Sequence, residues 1–163
     1  MAGLRERRLG ATSNDDVSAL DKRIIEHLQQ DGRRPFTQIA ADLGVSEAAV
    51  RSRTNRLVEH GIVQIVGVTD PLKLGFRQMA MIGVRCERDT LVRVAEQVAS
   101  FPEVDYVVIT AGTYDLLLET VCEDNAALLE FIAERLRTID GVRETETFVY
   151  LRMVKQTYQW GTR

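Results

Sequence analysis

The chain has 163 residues, 45% hydrophobic and 28% charged, which suits one large domain or two small ones and leaves disorder to the ends. No apolar run nears the roughly 18 residues that cross a bilayer, and residues 1–19 carry basic charge without a signal peptide's apolar stretch, so a cytoplasmic protein with no membrane partner is expected. The net charge of −3 argues at first against a nucleic-acid partner. It hides an asymmetry: between residues 33 and 56, Arg33, Arg34, Arg51, Arg53 and Arg56 face only Asp42 and Glu47, whereas the stretch beyond residue 86 is rich in Asp and Glu. Cys86 and Cys122 sit late in apolar runs, form no Cys-x-x-Cys pair and have only His27 and His60 elsewhere as co-ligands. Buried free thiols, no metal and no cofactor are expected.

Residues 1–17 hold Arg5, Arg7 and Arg8 with no apolar period and read as a flexible arm. Ser18 followed by Asp21 resembles a helix cap with an acidic third residue; Leu20, Ile24, Ile25 and Leu28 then share one face until Gly32. Thr37 can cap a short second helix that buries Ile39, Ala40 and Leu43 and stops at Gly44. Ser46 caps a third helix, running from residue 47 to about 60, with Gly61 as its stop. The turn Gly44-Val45-Ser46 has the length that holds two helices at a steep angle in a helix-turn-helix.

At about 100° per residue, Val50, Thr54 and Leu57 turn inward on the third helix, while Ala48, Arg51, Ser52 and Asn55 share the outer side. That outer face is short, polar and basic. Its arginine and asparagine can make bidentate contacts to guanine and adenine edges in the major groove, worth roughly 1–3 kcal/mol each. A solvated helix face could carry the same residues, but turn spacing, caps and the arginine cluster together point to double-stranded DNA. Arg53 on the inner flank and Arg56 on the outer flank suit phosphate clamps or structural pairs. Ser46, Glu47, Arg33 and Arg34 complete the candidate interface. Residues 62–68 are β-branched and read as the strand of a wing, closing a winged helix-turn-helix over 18–66; Asp70, Pro71 and Gly75 mark a linker over 67–77.

From residue 78 to 156 the periodicity runs strand (79–86), helix (91–101), strand (104–111), strand (114–122), helix (126–139), strand (143–154). Cys86-Glu87 with Asp89 echoes Cys122-Glu123-Asp124, and Phe101-Pro102-Glu103-Val104 echoes Ile139-Asp140-Gly141-Val142, as a split βαβ duplication would. Right-handed crossovers place both helices on one face of a four-stranded antiparallel sheet, a ferredoxin-like βαββαβ domain whose other face is bare and seeks a partner. The whole chain is therefore read as α+β. Residues 157–163 form a tail in which Trp160 packs on a neighbouring subunit or on its own.

Between the middle strands, Ala111, Gly112, Thr113, Tyr114 and Asp115 gather a glycine, a hydroxyl, a phenol and a carboxylate in a tight reversal, which by itself is common hairpin chemistry. Thr145 and Thr147 alternate with Glu144, Glu146 and Phe148 and could line a pocket with it.

The motif Leu20-Asp21-x-x-Ile24-Ile25 with Leu28, Arg33, Ile39-Ala40, Leu43-Gly44-Val45-Ser46, Val50-x-x-Arg53, Arg56-Leu57, Gly61-Ile62-Val63, Leu74-Gly75 and Gly112-x-Tyr114-Asp115-Leu116 resembles the Lrp/AsnC family of leucine-responsive and asparagine-related regulators over residues 18 to 155. The resemblance implies a DNA-binding transcription regulator that forms homodimers, often assembled as an octamer of four dimers, with an amino acid or related effector bound between effector domains. It implies that the hairpin is the effector loop, in which Asp115 suits an amino group and Gly112 leaves backbone amides open to a carboxylate. Thr113 stands where many members carry an Asp, which leaves the effector's identity open. A small ferredoxin-like enzyme with Tyr114 and Asp115 as acid and base is thinly supplied, since the second half holds no histidine, metal cluster or phosphate loop. A ligand-sensing oligomerisation protein without DNA binding would leave the arginine helix without a use.

Overall fold

The computed structural model describes residues 17–157 and Thr162; the expected arm up to residue 16 and the tail around Trp160 lie outside the described residues. The described residues divide into two compact units, one running to Gly67 and taking in Thr157 and Thr162, the other spanning Val68–Gln156.

The first unit is three helices on one small core. Helix α1 (Ala19–Gln30) starts from a reciprocal capping box: the Ser18 hydroxyl accepts the Asp21 amide hydrogen at 3.2 Å, and the Asp21 carboxylate accepts the Ser18 amide hydrogen at 2.9 Å. Helix α2 (Phe36–Leu43) begins two residues earlier than a Thr37 cap would place it. Pro35 occupies the cap with φ −58°, already set for a helix start, so Thr37 falls in the first turn. Gly44, at φ +67°, ends α2 in the left-handed region, and Ser46 opens α3 (Glu47–Glu59) by accepting the Ala49 amide hydrogen at 3.2 Å. Ile24, Leu28, Ile39, Ala40 and Val50 form the buried core, with Leu20, Phe36, Leu43, Val45 and Val63 packed around it.

The expected wing strand is not formed. After Gly61 the amides of Ile62 and Val63 donate to the Leu57 carbonyl, and residues 63–70 carry no regular structure, leaving Ile65, Val66 and Val68 exposed. No neighbouring strand among the described residues takes up the backbone hydrogen bonds of this β-branched stretch, and a strand does not persist unpaired.

The second unit opens with a 3-10 turn (Pro71–Leu74) capped by Asp70, then runs β1 (Gln78–Cys86), α4 (Leu91–Ala99), β2 (Val104–Ile109), β3 (Leu116–Cys122), α5 (Asn125–Glu130, continuing as a π-helical turn over Phe131–Leu136) and β4 (Val142–Val149). The strands pair antiparallel in the order β2-β3-β1-β4. Ala80, Ile82 and Val84 of β1 and Leu116 and Leu118 of β3 are fully buried against Val94 and Val98 of α4 and Phe131 and Leu136 of α5, so both helices cover one face as expected. Register puts Met81, Leu117, Val108, Glu119 and Phe148 on the opposite face, which no described element covers. Tyr150 donates to Glu119 there, and burial together with that charge pushes the phenol up to about 12. Cys122 is buried and Cys86 half-buried; neither forms a disulfide, and burial raises both thiols, which disfavours the thiolate.

Candidate nucleic-acid interface and effector pocket

The inward side of α3 is fixed by Val50, Thr54 and Leu57, all buried, and this leaves Ala48, Arg51, Ser52 and Asn55 exposed along one line. With Glu47, Arg56 and Glu59 they border a single open depression. Arg51 is held rather than loose: its guanidinium donates to Glu47 at 2.5 Å and lies 5.2 Å from the Phe36 ring centroid. An exposed pair of this kind contributes at most about 1 kcal/mol. Arg51 can therefore exchange Glu47 for a better acceptor at little cost.

Arg53 and Arg56 point elsewhere. Arg53 donates to Asp21 Oδ1 at 3.0 Å and to the Ser18 hydroxyl at 3.1 Å, and Arg56 donates to Asp21 Oδ2 at 2.7 Å. Asp21 is 0% exposed. Burial opposes its ionisation, but hydrogen bonds from Ser18 and Arg53, and the Arg53 charge, hold it below the usual carboxylate range. Of the two sequence readings, the structural pairing is made by both arginines. Arg34 is likewise occupied, donating to Asp42 at 2.7 Å between α1 and α2, whereas Arg33 uses only its backbone amide, toward Asp31 at 2.9 Å, and its side chain faces solvent.

In the second unit the hairpin tip, Ala111, Gly112 and Thr113, is exposed. Asp115 does not reach outward: its Oδ2 accepts the Cys86 amide hydrogen at 2.7 Å, and its own amide donates to the Val84 carbonyl at 2.9 Å, anchoring the hairpin to β1. The carboxylate expected to meet an amino group thus has a structural bond to keep. Tyr114 lies flat on Gly83, where a Cβ would fall 2.6 Å from its Cγ, with Phe148 edge-on at 6.3 Å and the Arg85 guanidinium 5.7 Å from its centroid. Arg85 donates to the Thr113 carbonyl at 3.1 Å and pairs with Glu144 at 3.0 Å. A depression of about 400 Å³ opens beside this cluster, lined by Arg85, Tyr114, Arg137, Arg143, Glu144, Thr145 and Glu146. Thr145 borders this depression, level with Val84 and Leu116 at the hairpin end of the sheet, but Thr147 does not: it shares the face of Thr145 and lies one row further along, level with Ile82 and Leu118. Sequence reasoning missed Gly83 and the arginines; a glycine inside an alternating strand was the available signal for the first.

A trihelical unit with a polar, basic third helix, joined to an α/β unit with a polar pocket, defines a helix-turn-helix transcription regulator with a ligand-binding domain. The AsnC-type helix-turn-helix domain matches residues 17–58 and the Lrp/AsnC ligand binding domain matches residues 79–160. The chain belongs to the Lrp/AsnC family. An uncharacterised HTH-type transcriptional regulator of Pyrococcus horikoshii is 35% identical over 147 residues, 90% of each chain. LrpA of the same organism is 34% identical over 140 residues, 85% of this chain and 99% of that one. Among solved structures, Escherichia coli AsnC superposes with a TM-score of 0.79 at 24% identity, covering 86% of this chain and 95% of that one. A Neisseria meningitidis regulator solved as its L-Met complex gives 0.79 at 24% identity over 86% and 94%. Among the described residues no helix is long and apolar enough to cross a membrane.

Proposed function

We propose that the chain is a sequence-specific transcription regulator whose α3 reads the major groove and whose assembly and DNA affinity respond to a small amino-acid-like effector. The observation that carries this reading is the exposed line Ala48, Arg51, Ser52 and Asn55 on a helix capped by Ser46 and seated by three buried residues. Short side chains admit the helix to the groove floor, and Arg51 and Asn55 have the donors and acceptors for guanine and adenine edges. Glu47 at the helix start borders the same surface, the exposed Arg33 side chain is free to meet phosphate, and Arg34 serves the packing of α1 on α2.

The bare sheet face is the homodimer interface in this reading. Its apolar residues are Met81, Leu117, Val108 and Phe148, and the Tyr150 phenol softens the cost of covering Glu119. Twofold pairing would set two α3 helices about one DNA turn apart on a symmetric operator, and further pairing of dimers would give the octamer. The effector site is the hairpin and the depression beside it. Gly112 has open space around its Cα and no strained φ, so its neighbouring amides stay approachable by a carboxylate. Arg137 and Arg143 add positive charge and Glu146 an acceptor for an ammonium group. The L-Met complex of the Neisseria relative supports this class of ligand. An effector would act through its unequal affinity for two assembly geometries, a coupling of about 1–3 kcal/mol.

A gel shift on DNA upstream of the protein's own gene, repeated with each amino acid, tests the reading. Retarded complexes that one or a few amino acids weaken or strengthen are expected; no salt-sensitive binding to any duplex would refute it.

A further inference from the structure

Asp21 is a buried carboxylate whose partners come from two helices. One oxygen receives the Ser18 amide at 2.9 Å, the Ser18 hydroxyl at 2.7 Å and Arg56 at 2.7 Å, while the other receives Arg53 at 3.0 Å. A core tie between α1 and α3 would need only one cation. Two arginines three residues apart on the helix that faces DNA is more than packing asks, and both remain accessible: their side chains are 36% and 46% exposed. Arg53 spends only Nη1 on Asp21 and Ser18, and Arg56 only Nη2 on Asp21. A guanidinium carries donors on three nitrogens in a fixed plane, so each arginine keeps a free edge suited to an anion.

We infer that Asp21 is a positioning residue of the DNA interface, a buried anchor that holds Arg53 and Arg56 with their unused edges turned to the phosphates bordering the groove that α3 enters. The proposal rests on the DNA-binding reading above and assigns it a residue that never touches the nucleic acid. The anchor removes the rotamer freedom that two long side chains would otherwise lose on binding, and it keeps their charge from searching among neighbouring phosphates. It also links the register of α3 on the duplex to α1, because the same carboxylate caps α1. Lysine cannot replace either arginine, since one ammonium cannot serve the carboxylate and a phosphate along two separate edges.

Asp21→Asn separates this role from bulk electrostatics by the sign of its effect. It removes a negative charge near DNA, which by charge alone tightens binding; loss of positioning weakens it. The full-length chain is titrated by fluorescence anisotropy into a labelled duplex of its upstream DNA across a salt series, alongside Arg53→Lys and Arg56→Lys. All three should bind about tenfold more weakly for each charge-assisted hydrogen bond to phosphate that they give up. The slope of log affinity against log salt should be shallower by about 0.9 for each phosphate released. Circular dichroism establishes which variants are folded. A folded Asp21→Asn that binds as tightly as the wild type or more so, or lysine variants with unaltered affinity and slope, overturns the inference. Should Asp21→Asn fail to fold, the lysine variants decide, because their changes sit at the surface. A wild-type chain with no salt-dependent binding would instead refute the DNA-binding reading itself.

Discussion

Replacing Gly83 with alanine tests the packing on which the effector pocket depends. The new Cβ would stand 2.6, 2.7 and 2.8 Å from Cγ, Cδ1 and Cδ2 of Tyr114. Carbon atoms rest at about 3.5–4.0 Å, so the ring must retreat by about 1 Å. It has no easy exit, with Phe148 edge-on at one side and Arg85 over it. Overpacking of this kind costs about 1–3 kcal/mol, while exchanging a strand glycine for alanine returns about 0.5–1 kcal/mol through the unfolded chain. A net destabilisation of about 1–2 kcal/mol follows. Urea unfolding at matched protein concentration measures it, in the wild-type background and again with Tyr114→Ala. In the second background the clash is gone and Gly83→Ala should be neutral or stabilising, a coupling of about 2 kcal/mol. Equal effects of Gly83→Ala in both backgrounds would refute the claim that Gly83 is the seat of Tyr114.

Leu117→Asp places a charge in the middle of the bare sheet face and should leave a folded monomer in sedimentation; a wild-type mass would remove that face from the dimer interface. Because Asp21 is held below its unfolded value, its contribution to stability is complete above about pH 4 and is lost as pH falls through the lower folded value. Urea midpoints should therefore drop more steeply below about pH 4 for the wild type than for Asp21→Asn, and parallel curves would contradict the pairing. Phe131→Ala, emptying a fully buried site between helix and sheet, should cost about 3–5 kcal/mol in the same assay, and a cost under about 1 kcal/mol would mean that this core is wrongly drawn.

Local signals were the legible ones. Ser18 with Asp21, Gly44 and Ser46 are chemistry that acts over a few residues, and the structure uses each where the spacing placed it. Strand and helix order in the second unit followed from periodicity, including the bare face. What escaped is non-local. Arg53 and Arg56 find Asp21 across more than thirty positions, which no window along the chain can see. Thr147 is misplaced by sequence because alternation tells which residues share a face but not how far each lies from the hairpin, which the register of β4 against β1 sets. Residues 62–68 have strand composition without a strand, since β-branched residues favour extended backbone while pairing requires a neighbour. The Asp115 carboxylate looks free in the sequence; its bond to Cys86 depends on the register of β1 against β3.

Base reading by the outer side of α3 stands or falls with Arg51→Ala on the full-length protein. Affinity is measured for the upstream duplex and for a scrambled duplex of equal length at one fixed salt concentration. A loss of about 1–3 kcal/mol is expected on the specific site with a much smaller change on the scrambled one, so that discrimination itself falls. Equal losses on both duplexes, or none on either, would contradict it.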